Sequence, residues 1–94
     1  MKKLILEGHI NVPKEDLEAV MAELQNHTSL TKNETGCIYF SVDQRSNDTC
    51  VFDVYEEFES KEAFESHQSR VRSSKWGSVT VNVSRHYVTK EIKS

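Results

Sequence analysis

The sequence predicts an α+β fold in which two helices cover one face of an antiparallel sheet. Two segments carry apolar residues at the spacing of an amphipathic helix, and four segments show the alternation of β-strands. A turn signal joins the two middle strand segments into a hairpin. Because 94 residues suffice for one core, we expect a single domain spanning residues 1–94.

A proline separates the first strand from the first helix. Residues 4–12 alternate apolar and polar side chains, which predicts a strand. Pro13 ends this strand and suits the first turn of a helix predicted over residues 14–31. The apolar stripe of this helix consists of Leu17, Val20, Met21, Leu24 and His27.

The predicted hairpin joins residues 36–44 to residues 49–58 through a turn at residues 45–48. We expect Phe40 to lie opposite Val54, because this register gathers the apolar side chains on one face. That face then carries Ile38, Phe40, Val42, Phe52, Val54, Glu56 and Phe58. The opposite face carries Tyr39, Ser41, Asp53, Tyr55 and Glu57.

A second helix and a last strand complete the chain. Ser60 is a suitable N-cap for a helix whose apolar stripe is Ala63, Phe64, His67 and Val71. Trp76 and Gly77 close this segment, and alternating valines predict a last strand over residues 79–90. The order β-α-β-β-α-β is ferredoxin-like, with both helices on one face of the sheet.

The uncovered face of this sheet is polar and aromatic. Tyr39 and Tyr55 lie there among acidic side chains, a composition that suits a semi-polar interface between two copies of the chain. His9 and His86 have the polar parity of the two neighbouring outer strands, so we place them on this face. This face is either solvated or the interface of a homodimer.

Composition excludes several classes of protein. The net charge is −3 with no basic block, which argues against a nucleic-acid partner. No apolar run reaches the roughly 18 residues of a membrane-spanning helix, and Glu7 interrupts the apolar N-terminal run too early for a signal peptide. We expect a cytoplasmic protein whose Cys37 and Cys50 lie too far apart for a disulfide and stay reduced.

Two histidines and a glutamate occupy positions where apolar residues belong. His27 and His67 continue the apolar stripes of the two helices, and Glu56 has the core-facing parity of its strand. Buried together, these groups either satisfy one another as structural residues or line a ligand cavity. In the second case His27, Glu56 and His67 are candidate catalytic residues, with His67 as a general base and Glu56 tuning its pKa.

Aromatic residues complete the candidate site, and other chemistries lack support. Phe40, Phe58 and Trp76 are candidate substrate-binding residues near the same apolar layer, although Trp76 is equally suited to be a packing anchor. Neither H-x-x-x-H nor C-x-x-C occurs, so we expect no metal site. No glycine-rich phosphate motif or nucleophile elbow is present.

Two stretches of the sequence resemble the antibiotic-biosynthesis-monooxygenase domain family. Its hallmarks are a G-C-x-x-Y/F strand start and a later Y-E-x-W/F-x-S-x-E-A-F-x-x-H run. The matching stretches here are Glu34-Thr35-Gly36-Cys37-Ile38-Tyr39 and the segment from Tyr55 to His67, YEEFESKEAFESH. The resemblance extends over nearly the whole chain in matching element order.

This resemblance implies a dimeric α+β barrel with a pocket between each sheet and its helices. Well-known members oxidise quinols or polycyclic phenols with molecular oxygen, using neither metal nor flavin. The expected function is therefore a cofactor-independent monooxygenase acting on a small quinol-like or polyphenolic molecule. Carried over by motif, Glu56 and His67 match the family's glutamate and histidine, and Phe58 stands where many members have tryptophan.

The residues leave two alternatives open. Some relatives isomerise or degrade a small phosphorylated signalling sugar, and carbanion chemistry of that kind also suits His67 and Glu56. A phosphorylated substrate requires cations, for which Arg70 and Arg72 are the nearest candidates. The other alternative is a non-enzymatic ligand-binding dimer with structural histidines. Haem degradation is disfavoured, because Gly8 occupies the place of an asparagine in haem-degrading relatives.

Overall fold

The computed structural model describes residues 2–93 as one four-stranded antiparallel sheet with helices on one side. The chain order is β1 (Lys2–Asn11), a 3-10 turn (Lys14–Asp16), α1 (Leu17–Lys32), β2 (Cys37–Gln44), β3 (Val51–Phe58), α2 (Lys61–Arg72), α3 (Lys75–Val79) and β4 (Ser84–Lys93). The strands lie in the order β2-β3-β1-β4. The expected ferredoxin-like α+β architecture is confirmed, with one additional short helix.

The core lies between the sheet and the helices. Its buried apolar residues come from every layer: Leu6, Ile10, Val12, Val20, Phe52, Val54, Trp76 and Val83. On β1 and β3 these residues have one parity, so the period-two pattern correctly separated the helix-facing side from the outward side. None of the helices in residues 2–93 is both long and apolar enough to cross a bilayer.

The hairpin register differs by two residues from the prediction. Phe40 lies opposite Glu56, and Val42 lies opposite Val54. Because the shift is even, the faces keep their side chains, with one exception. A bulge between Cys37 and Tyr39 removes Ile38 from the core face and leaves it 48% exposed.

The last strand begins at Ser84, so the predicted start at residue 79 was wrong. Lys75–Val79 instead forms α3, because Ser74 Oγ accepts the Gly77 N–H at 3.1 Å and caps its first turn. At its other end the Thr80 hydroxyl donates to the Trp76 carbonyl at 2.7 Å. Alternating valines suit a strand, but these local hydrogen bonds satisfy a helical turn.

Two glycines, Gly36 and Gly8, allow close contacts between elements that a side chain would prevent. Gly36 has φ +92°, and a Cβ there would lie 2.6 Å from the Ala63 Cβ of α2. A Cβ at Gly8 would collide with the main-chain carbonyl of His86 on β4. The first glycine thus brings the start of β2 against α2, and the second lets β4 pair closely with β1.

Candidate active site

His27 projects from α1 into the core and lies beside Trp76. The imidazole is 4% exposed and stacks on the indole with 4.5 Å between ring centroids and 4° between planes. Phe40 of β2 meets the same imidazole edge-on at 5.4 Å. Burial lowers the pKa of His27 to about 3, and the neighbouring His67 and Arg70 act in the same direction. His27 is therefore neutral at physiological pH.

His67 projects from α2 into the same layer and is 2% exposed. Its ring centroid lies 4.9 Å from that of Phe58. Its Nδ1 is 2.6 Å from Glu34 Oε1, and its Nε2 is 3.7 Å from Glu56 Oε1. His67 thus lies between two carboxylates, one of which was expected from the sequence.

Glu34 belongs to a polar network that the sequence did not reveal. Arg70 Nε lies 3.1 Å from Glu34 Oε2, and an Arg70 terminal nitrogen donates to Glu34 Oε1 and to the Thr31 hydroxyl, each at 3.1 Å. Arg70 is therefore held by an ion pair behind the site, and does not supply the free cation considered for a phosphorylated substrate. The available signal was its position one helical turn after His67.

This network determines which nitrogen of His67 carries hydrogen. Burial raises the pKa of Glu34, but hydrogen bonds from Arg70 and His67 outweigh it and leave the pKa below its usual value. Burial lowers the pKa of His67, against the opposing hydrogen bond to Glu34. An ionised Glu34 only accepts hydrogen bonds, so the neutral imidazole donates from Nδ1 and presents a bare Nε2 lone pair to Glu56.

Glu56 is the buried acid of the site. It is 7% exposed on β3, and its Oε1 has no hydrogen-bond partner within residues 2–93. Burial raises its pKa to about 7, and the charge of Glu34 adds to this effect. A carboxyl group with such a pKa exchanges a proton near neutral pH, which is the property required of a general acid or base.

A small cavity adjoins Glu56 and has a volume of about 20 Å³. The cavity lining includes Glu56, His27, Phe40, Trp76, Tyr87 and Arg85. This volume suffices for about one water molecule. His67 and Phe58 do not line the cavity; they lie behind Glu56 and pack against each other. Four of the six residues expected at the site thus face one space, and the other two support it.

Tyr87 is a lining residue that sequence reasoning missed. It lies on β4 opposite Gly8, and burial raises its pKa to about 12, with the charge of Glu56 adding to the effect. The phenol is therefore a neutral hydrogen-bond donor at the cavity wall. The available signal was its parity, which is that of Val83 and opposite to that of the outward-facing His86.

His9 and His86 lie on the outward face, as their parity predicted. They are paired residues of β1 and β4, and their rings stack with centroids 4.7 Å apart. Neither lines the cavity. Within residues 2–93 no group of three or more histidine, cysteine or acidic side chains has the geometry of a metal site.

The sequence was compared with models of known families. The model described as antibiotic biosynthesis monooxygenase matches residues 4–76. The chain belongs to this family. Membership supports a general function of the monooxygenase type, and the matched region includes His27, Glu56, His67 and Trp76. Among curated proteins, none matches the sequence significantly.

Several solved structures resemble the chain over nearly its whole length. A Pseudomonas aeruginosa protein has a TM-score of 0.78 at 19% identity, with 100% of this chain and 95% of that chain covered. A Nitrosomonas europaea protein, named as a proposed antibiotic biosynthesis monooxygenase, has a TM-score of 0.77 at 14% identity, covering 99% and 89%. A similarly named Deinococcus radiodurans protein gives 0.70 at 16%, covering 97% and 91%. At these identities the likeness establishes the fold.

Proposed function

We propose that the protein is a cofactor-independent monooxygenase that acts on a small quinol-like or polyphenolic molecule. The observation that carries this proposal is the buried Glu56 carboxyl group, which faces a small cavity with an unpartnered oxygen and a pKa raised to about 7. Such a group removes a phenolic proton near neutral pH, and the phenolate is the form that reacts with oxygen.

His67 supports the carboxylate from behind the cavity. The sequence suggested His67 as the base and Glu56 as the group that tunes it, whereas the lining of the cavity favours the opposite assignment. We assign the base role to Glu56 and a positioning role to His67, whose Nε2 lies 3.7 Å from Glu56 Oε1. Glu34 then fixes the orientation and tautomer of the imidazole.

The substrate supplies the electrons in this reaction. A deprotonated quinol transfers electrons to O2, one oxygen atom forms a bond to a ring carbon, and the other leaves as water. For a simple hydroquinone the products are a hydroxyquinone and one water, so no external reductant is required. Tyr87 lines the cavity, and its neutral hydroxyl would hold a second oxygen of the substrate.

A ring requires more space than the cavity now offers. Trp76 fills the space beside His27, and it belongs to a helix of five residues held by hydrogen bonds at Ser74 and Thr80. Outward movement of this short helix would open the cavity between His27 and Glu56, and its return would exclude water. Phe40 would then flank the bound ring.

The proposal includes a homodimer formed through the outward face of the sheet. This face exposes Tyr39 by 55%, Val88 by 68% and Ile92 by 41%. Tyr55 and Glu57 lie between these positions and hydrogen-bond to each other at 2.8 Å. Apolar side chains interspersed with paired polar groups have the composition of a protein–protein interface.

Two further functions have observations in their favour. An isomerase or lyase acting on a small phosphorylated metabolite would use the same base without oxygen, and it is favoured by arginines near the cavity mouth. A non-enzymatic ligand-binding dimer is favoured by the present volume of about 20 Å³. Against structural histidines, His67 bonds to the Glu34 side chain and to no main-chain group within residues 2–93.

The decisive experiment combines an oxygen electrode with ¹⁸O2. Purified protein freed of metal and flavin is supplied with a panel of quinols and polyphenols. The proposal predicts oxygen uptake and a single ¹⁸O atom in the organic product. Conversion without oxygen uptake would indicate the isomerase, and absence of turnover with saturable binding would indicate a ligand-binding protein.

A further inference from the structure

Two of the four arginines have no acidic partner among residues 2–93. Arg45 pairs with Asp53 at 2.8 Å, and Arg70 pairs with Glu34 at 3.1 Å. In residues 2–93 no carboxylate oxygen lies within 4.0 Å of Arg72 or Arg85. The chain has a net charge of −3, so two unpaired guanidinium groups form a local excess of positive charge.

Both unpaired arginines line the same surface groove. It lies between α2 and the segment that follows α3, and has a volume of about 350 Å³. The side chains of Gln68 and Thr80 contribute further polar groups to its wall. None of the described residues that line the groove is acidic. Guanidinium groups with no competing carboxylate are suited to bind a carboxylate or a phosphate.

The groove adjoins the buried cavity. Arg85 and Thr80 line both spaces, so one guanidinium connects the exposed groove to the space beside Glu56. An Arg85 nitrogen donates to the Thr80 hydroxyl at 3.0 Å, which orients this side chain. A guanidinium has five N–H donors, and those not used towards residues 80, 83 and 87 are available to a ligand.

We infer that this groove binds an anionic group of the small molecule whose reacting part enters the cavity. The ligand is then an organic carboxylate or phosphate in which the anion and the reactive ring are joined by a short linkage. The link to catalysis rests on the proposed function, but anion binding in the groove does not. Because both arginines are exposed, binding is weak and sensitive to salt.

An NMR titration of the ¹⁵N-labelled protein tests this inference. Inorganic phosphate and benzoate are added separately at low ionic strength, and amide shifts are followed. We expect saturable shifts centred on residues 77, 80 and 81, with an affinity that falls as salt is added. Tighter binding of phosphate would support a phosphorylated ligand, and tighter binding of benzoate would support a carboxylated one.

Charge-matched variants separate specific binding from the general effect of removing a cation. Arg72→Gln and Arg85→Gln should each weaken binding about fivefold, whereas Arg45→Gln, on the outward face, should leave it unchanged. Arg72 makes no side-chain hydrogen bond within residues 2–93, so its variant keeps the test valid if Arg85→Gln disturbs the turn at Thr80. Non-saturable shifts, or equal affinities in Arg72→Gln and Arg45→Gln, would overturn the inference. This readout needs no turnover, so its failure would leave the proposed function intact.

Discussion

The two faces of the sheet carry the same residue types in opposite environments. On the helix-facing side, His27, Glu56 and His67 are between 2% and 7% exposed and are surrounded by aromatic rings. On the outward side, Asp53 and His86 are exposed to solvent. Burial, and not residue type, therefore makes an imidazole or a carboxyl group a candidate acid or base.

The pKa values of Asp53 and Glu56 are shifted in opposite directions on the two faces. On the outward face the hydrogen bond from Arg45 holds the pKa of Asp53 below its usual value. On the inward face burial raises the pKa of Glu56 to about 7. One carboxyl group is therefore always ionised near neutral pH, whereas the other changes its protonation there.

The largest effect concerns the stability of the folded protein, which should depend on pH because Glu56 is buried. Its pKa is about 7 in the folded protein and about 4.5 when unfolded, so the folded state binds more protons between these pH values. Stability contributed by this group is therefore lost as pH rises from about 4.5 to 7. A shift of this size corresponds to about 3 kcal/mol.

The Glu56→Gln variant isolates this contribution. Relative to the native protein, its free energy of unfolding should increase by up to about 3 kcal/mol as pH rises from 4.5 to 8, measured by urea denaturation. Asp53→Asn on the outward face is the control, and it should show no such gain. A stability difference between Glu56→Gln and the native protein that is independent of pH would contradict a raised pKa.

A second prediction compares a buried imidazole with an exposed one. His67→Asn keeps a donor near the Nδ1 position but removes the Nε2 acceptor that faces Glu56, so kcat for oxygen uptake should fall about a hundredfold. KM should change little, because His67 does not line the cavity. His86→Asn, on the outward face, should keep native kcat. Loss of thermal stability alone, with kcat preserved, would reduce His67 to a structural residue.

A third prediction concerns the effect of the Glu34 charge on the pKa of Glu56. The charge of Glu34 contributes to the raised pKa of Glu56, so Glu34→Gln should lower that pKa. The acid limb of the pH–rate profile should move to lower pH, while kcat falls about tenfold because His67 is held less firmly. An unchanged profile would show that Glu34 has no electrostatic effect on the site.

The smallest expected effect on the site comes from the outward face. Val88→Lys places a charge at a position that is 68% exposed, so the folding stability of a protomer should change by less than about 0.5 kcal/mol. Sedimentation velocity should show the proposed dimer for the native protein and a monomer for the variant, because an interface disfavours an unpaired lysine. If the variant remains dimeric at the concentrations of the native protein, the interface lies elsewhere.

The sequence predicts the features of the site that depend on local patterns, but not those that depend on long-range contacts. Strand parity distinguished Glu56 from Glu57, and helical periodicity placed His27 and His67 in the core, because both patterns are local. Glu34 lies in a loop and meets His67 through a contact spanning 33 residues, which no local pattern reports. Tyr87 has the helix-facing parity of its strand, but parity alone does not report that this part of the strand reaches the cavity beside Glu56.

The role of Glu56 as the base is tested by the pH dependence of kcat/KM for oxygen uptake, compared between the native protein and Glu56→Gln. We expect the native rate to rise with pH through a midpoint near 7, since Glu56 must be ionised to accept a phenolic proton. In Glu56→Gln this limb should disappear and the rate should be about a hundredfold lower. A variant with the native rate and the native midpoint would show that Glu56 is not the base of the reaction.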